Sequence, residues 1–277
     1  MSNRTRSRTG TALGLLLALA LGACTRSPAP QATVDLTPTT GPVAPPPVQG
    51  PYLQLEALLQ RHVQGDQVDY AGLREEVQLL DDCLEALGRV NPSSLTREEQ
   101  LAFWINAYNA CTLKLIVQQS PELVSIVDIP AGKRWKWKGW QMGGGTVSLD
   151  QMEHDILRPL GEPRIHFAIN CASRSCPRLS PRAYRGGQLE AQLEEATRGY
   201  LADSSHGLRL ETPAGKPPEL HLSRIFEWFG EDFEKSADSV GTFVRRHAPE
   251  QVQAALSAHP GPLRIRYLEY DWSLNGR

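Results

Sequence analysis

Apolar positions along the chain first recur at helical spacing. Leu55, Leu58, Leu59 and Val63 share one helix face, and Val77, Leu80, Leu84 and Leu87 another. Asn91-Pro92 breaks the period. Thr96 followed by Glu99 predicts a capping box, opening a helix over roughly 97–119. In it Leu101, Trp104, Ile105, Tyr108, Thr112, Leu115 and Ile116 make one face, while Ala102, Phe103, Ala110, Leu113 and Val117 keep the remainder largely apolar. A helix apolar nearly all round is a buried central helix.

The second half mixes periods. Residues 123–129 predict a strand, and 135–142 with 146–149 a hairpin around Gly143, Gly144 and Gly145. Ser148 and Gln151 cap a short helix running to Arg158. Over 165–170, Ile165, Phe167 and Ile169 alternate with His166, Ala168 and Asn170, the period of a strand. Helices follow over 189–200, 223–229 and 239–247, and short strands over 208–210, 220–222 and 263–267. No internal repeat occurs. The expected architecture is one mixed α+β domain over 51–277, with a buried central helix packed on a small, mostly antiparallel sheet.

The first fifty residues have a different character. Arg4, Arg6 and Arg8 precede a short apolar run over 11–21, roughly half the ~20 residues of a membrane-spanning helix. Leu21-Gly22-Ala23-Cys24 then resembles the lipobox of bacterial lipoproteins. That resemblance implies a signal peptide over 1–23, lipid on Cys24 and a bilayer as partner. Thr25, rather than Asp, implies an outer-membrane address facing the periplasm. Residues 24–50 hold seven prolines and few large apolar side chains, so they predict an extended tether reaching at most roughly 80 Å. Removing three arginines from 29 basic residues leaves 26 against 31 acids. A mildly acidic exported chain has no electrostatic pull toward nucleic acid.

Three segments in this order resemble the domain of unknown function 547 family: Leu101 to Asn109 (LAFWINAYN), Arg164 to Pro177 (RIHFAINCASRSCP) and Tyr270 to Asn275 (YDWSLN). Ser148 to His154 (SLDQMEH), Ile156 to Arg158 and Ile225 to Phe233 (IFEWFGEDF) support it, and the resemblance covers about 53–275. Phe229 stands where the family pattern suggests tyrosine, which matters if that hydroxyl bonds a partner.

Chemistry concentrates around Cys171. A thiol at a strand end near a histidine fits a nucleophile, with His166 as base, Glu153 as orienting carboxylate and His154 as a second base. By fold analogy this is a papain-like hydrolase or transferase acting on peptide or amide bonds. The analogy has a gap, because such enzymes place the cysteine at the start of the central helix, where this helix presents Asn106 and Asn109. The competing reading is a Cys171–Cys176 disulfide formed in an oxidising compartment. The domain is then a non-catalytic envelope scaffold or binding module with a peptide, glycan or protein partner. A reversible redox pair is a third reading. Zinc on His154, His166, Cys171 and Cys176 has suitable ligand types but no compact-finger spacing, so no metal is expected. Cys83 and Cys111 read as core fillers. Asn106 and Asn109, with His154 and Arg158, either brace loops or line a pocket. In the basic-aromatic run 133–140, alternation predicts Trp135 and Trp137 packed inward and Lys136 and Lys138 in water. No phosphate loop, dinucleotide fingerprint or serine elbow occurs, and no cofactor is expected.

Overall fold

The structure, a computed structural model, describes residues 49–213, 216–259, 261 and 263–277. The signal peptide, Cys24 and the tether up to residue 48 lie outside them. Gln49 and Gly50, expected in the tether, already belong to the first helix.

The fold is α+β. Helix α1 (Gln49–His62) leads through a two-residue hairpin, β1 (Val63–Gln64) and β2 (Gln67–Val68), into α2 (Tyr70–Glu75) and α3 (Val77–Gly88). Helix α4 (Arg97–Val117) follows, with the Thr96–Glu99 capping box formed in both directions. Every residue from Leu101 to Val117 is buried. Lys114, the one cation among them, is neutralised by Asp81 at 2.5 Å. Around α4 pack α2, α3 and irregular turns at 152–157 and 186–188, forming the larger core.

The expected strand at 123–129 is instead a 3-10 turn, Ile126–Asp128, capped by Ser125 Oγ. Only an isolated bridge from Ser125 to Ser273 remains of it. Helix α5 (Ala131–Arg134) precedes the expected hairpin, which loses its first residues and shortens to β3 (Trp140–Met142) and β4 (Gly145–Val147). Gly143 and Gly144 both take positive φ at its turn, the requirement of a tight two-residue hairpin. Trp137 is 44% exposed, contrary to the inward packing expected, because residues 135–139 form no strand.

Helix α6 (Leu149–Gln151), opened by the Ser148–Gln151 capping box, continues as a π-helical turn over Met152–Leu157 and a 3-10 turn to Leu160. The segment 163–170 is the second departure. Pro163 and the Glu162 side-chain cap start a 3-10 helix, Pro163–Phe167. Its alternating apolar residues serve two cores rather than one sheet face: Ile165 and Ile169 enter the α4 core, and Phe167 the second. That second core gathers α7 (Leu189–Leu201), α8 (Ile225–Trp228), α9 (Gly230–Ala237), α10 (Val240–His247) and α11 (Glu250–Ser257) around a three-stranded sheet. There β5 (Leu208–Glu211) pairs antiparallel with β6 (Glu219–Leu222), and β6 parallel with β7 (Arg264–Tyr267).

The C-terminal tail then returns across the domain. Leu274 N donates to Val124 O, Asn275 N to Ala172 O and Val68 N to Asn275 O, at 2.9–3.1 Å. At Gly276 a Cβ would lie 1.8 Å from Val68 O, so no larger residue fits this crossing. The tail carries Tyr270 and Trp272 to the junction of the two cores.

Candidate active site

That junction holds a cavity of about 190 Å³. Glu153, His154, His166, Cys171 and Cys176, scattered over 24 positions of sequence, all line it. Asn106 and Asn109 do not. Each instead clamps a backbone segment with both ends of its amide. Asn106 Nδ2 donates to Tyr184 O (2.8 Å) and its Oδ1 accepts from Tyr184 N (2.9 Å). Asn109 does the same to Ala168 O (2.9 Å) and Asn170 N (2.8 Å). These bonds take the place of a strand ladder for 168–170.

Asn109 thereby fixes the loop that presents Cys171. Asn170 continues the scaffold, donating to Pro177 O (2.7 Å) and accepting from Ala172 N (2.8 Å). Ala172 sits at φ 62°, a left-handed conformation costing a non-glycine residue roughly 1–2 kcal/mol. The strained turn places the Cys171 sulfur on the cavity wall rather than in the core.

Cys171 and Cys176 are both free thiols, so the expected disulfide is absent. Cys171 N donates to Cys176 Sγ at 3.0 Å. Ser173 Oγ lies 3.0 Å, and Tyr270 Oη 3.4 Å, from Cys171 Sγ. The Cys176 thiol, against the opposing effect of burial and with help from Ser173 and Tyr270, lowers the Cys171 pKa to about 6. Burial, and then the neighbouring Cys171, push Cys176 well above the ordinary thiol range. The Cys171 sulfur is therefore poised as thiolate, while Cys176, whose Sγ lies 3.8 Å from Ile169 O, keeps its proton. Burial alone raises Cys83 to about 12, and burial dominates at Cys111.

The carboxylate that orients His166 is Asp232, not Glu153. Asp232 Oδ2 lies 2.9 Å from His166 Nε2, and Arg158 grips the same carboxylate through Nε (2.7 Å) and Nη2 (3.0 Å). Burial opposes ionisation of Asp232, but the bonds from His166 and Arg158 hold its pKa well below the usual carboxylate range. Burial lowers the His166 pKa despite Asp232, which favours neutral imidazole. Phe229 stacks on that ring at 3.9 Å and 19°. The ring face is what this position supplies, and a phenylalanine provides it without the hydroxyl. Among the described residues, no hydrogen bond joins Cys171 to a histidine. His154 Nδ1 lies 3.2 Å from Arg158 Nη1. Although four zinc-type side chains line this cavity, among the described residues no three His, Cys, Asp or Glu converge to hold a metal.

Glu153 has a different role. Among the described residues its side chain bonds the Tyr108 hydroxyl alone, at 3.3 Å. Burial, and then the Cys171 thiolate, push its pKa up to about 7. A raised carboxyl favours the folded state fully below the ordinary carboxyl range and loses that contribution as pH climbs through about 7. Glu153→Gln is therefore expected to gain stability relative to wild type as pH rises from 5.5 to 8. Melting temperatures of the two proteins over that range measure the widening gap; a constant gap contradicts it.

Residues 92–201 match the family described as protein of unknown function, DUF547. The DUF547 span holds α4, Glu153, His154, His166 and both loop cysteines. Asp232, Tyr270 and Trp272 come from beyond it, within the longer stretch that the sequence motifs cover. No curated protein and no solved structure matches the chain.

Asp232, Ser173 and Tyr270 are the site residues that sequence reasoning missed. All three lie inside the quoted motifs, yet an acid next to Glu231 or a tyrosine next to Asp271 carries no positional signal that singles it out.

Proposed function

We propose that the domain is a cysteine-dependent acyl-transfer enzyme, a hydrolase or transferase acting on amide bonds. The observation that carries this reading is the unbridged Cys171, turned by a strained loop onto a cavity wall and surrounded by thiol and hydroxyl donors. Such donors stabilise a thiolate, the reactive form of the group. Cys171 Sγ attacks the acyl carbon, forming a thioester while the C–N bond breaks. The amine leaves with the proton of Glu153, which a carboxyl titrating near 7 still carries. Water then attacks the thioester, the Glu153 carboxylate takes its proton, and the acid and the thiolate are released. An amine in place of water gives transfer. His166, held by Asp232 and lining the same cavity, positions the incoming group as a neutral imidazole.

Brief treatment of the native protein with iodoacetamide at pH 7 tests this. The expected result is one adduct, on Cys171, with Cys83 and Cys111 untouched in their buried positions. An unlabelled Cys171, or label spread over all the cysteines, contradicts the enzyme and favours a non-catalytic scaffold.

The domain is further proposed to work at a bacterial envelope membrane, held by lipid on Cys24. The support is the order of segments at the N-terminus: arginines, an apolar run, Leu21-Gly22-Ala23-Cys24 and a proline-rich spacer. Among the described residues no helix is long and apolar enough to cross a membrane. Cys24→Ala should abolish incorporation of a labelled fatty acid in cells; undiminished labelling defeats the anchor.

A further inference from the structure

The same cavity carries a second pattern that acyl transfer does not require. One wall is an aromatic cluster: Trp228, Tyr270 and Trp272 have ring centroids 4.8, 4.5 and 5.6 Å apart. Trp135 lines the cavity as well, and its carbonyl accepts from Asp150 N at 3.0 Å. Trp228 remains 43% exposed, which leaves part of its ring accessible to a ligand. Asp150 lines the cavity too, and among the described residues its side chain forms no hydrogen bond or ion pair. Among the described residues no lysine or arginine lines this space. The neighbouring arginines are already engaged: Arg158 bonds Asp232 and His154 and lies 5.3 Å from the Phe229 ring centroid, and Arg134 lies 5.5 Å from that of Trp135. Aromatic faces carry negative charge, and the unpaired carboxylate and the Cys171 thiolate add to it. A site of this kind attracts an organic cation and repels an anion.

Resting on the acyl-transfer reading for its reaction, we infer that the substrate carries a cationic amine, seated against Trp228, Tyr270 and Trp272 and paired with Asp150 while its acyl carbon meets Cys171. An amine near the scissile bond suits this arrangement, because Asp150 and Glu153 stand on the same helical stretch, three residues apart.

The test uses the full-length protein and its tryptophan emission. Choline is titrated against 3,3-dimethylbutan-1-ol, which has the same shape without the charge. The expected result is choline binding about tenfold tighter than the neutral alcohol. Asp150→Asn should reduce that preference to about twofold. Trp228→Ala should weaken choline at least fivefold in a protein that a melting curve shows still folded at the titration temperature. Equal binding of the two ligands, no response to either, or full preference retained in Asp150→Asn overturns the inference. Choline has no acyl group, so its binding is independent of whether Cys171 reacts with iodoacetamide, and failure of one reading is separable from failure of the other.

Discussion

Asn109→Ala is expected to destabilise the domain by roughly 2–6 kcal/mol, the cost of leaving two buried groups unpaired at roughly 1–3 kcal/mol each. The groups are Ala168 O and Asn170 N, which receive both ends of the Asn109 amide. Both residues are buried, so water does not replace the lost bonds at the surface. Loss on this scale is a large part of the ~5–15 kcal/mol that holds a typical domain together. Urea unfolding measures it as a lower midpoint at unchanged slope. Asn106→Ala is the matched control. It frees Tyr184 O and N in the same way and should cost a comparable amount. The two variants differ in what else they disturb. Asn109 braces the turn carrying Cys171, so its loss should slow alkylation of Cys171 under native conditions, whereas loss of Asn106 should leave that rate unchanged. An Asn109→Ala protein as stable as wild type removes the amide clamp from the account of this site.

The clamp also shows how far the sequence was readable. Helix α4 was legible because length, apolar content and the Thr96–Glu99 box all pointed one way. Its caps form as the residue types dictate. The two polar residues on it were legible as buried amides needing partners, but not as clamps, because the partners lie 59 to 78 positions away. Segment 163–170 misled for a related reason. Its alternation of apolar and polar residues is real, but it reflects two cores on either side of a 3-10 turn, and alternation alone does not distinguish that from a sheet with one wet face. The cluster at the cavity was half legible. Cys171, Cys176, His166 and Glu153 announce themselves by type and proximity. The identity of the acid on His166 depends on α9 packing against 163–167, a long-range contact with no local mark.

The alkylation rate of Cys171 should rise with pH to a midpoint near 6, then level off while an ordinary thiol is still rising. At pH 6 a thiol of pKa near 6 is about half ionised, and one near 8.5 about 0.3% ionised, an advantage of about 150-fold in thiolate. The gain is not kept whole. A thiolate of lower pKa is a weaker nucleophile, and a Brønsted slope of about 0.4–0.5 takes back roughly tenfold. The net advantage over N-acetylcysteine at pH 6 is thus about tenfold. At pH 9, where both are ionised, the order reverses by a similar factor. The crossing of the two curves separates a depressed pKa from mere exposure, which shifts a curve up or down without crossing. Cys176→Ala then identifies the source. It removes the donor that contributes most to holding the thiolate, leaving Ser173 and Tyr270, so the midpoint should move upward toward the ordinary thiol range. Stability follows the same sign. A depressed thiol stabilises the fold above the ordinary thiol range and loses that contribution as pH falls through about 6, so the stability advantage of wild type over Cys171→Ala should shrink between pH 8 and 6. A wild-type midpoint above 8, or a midpoint unmoved by Cys176→Ala, means that the paired sulfurs do not activate one another, and the acyl-transfer mechanism loses its nucleophile.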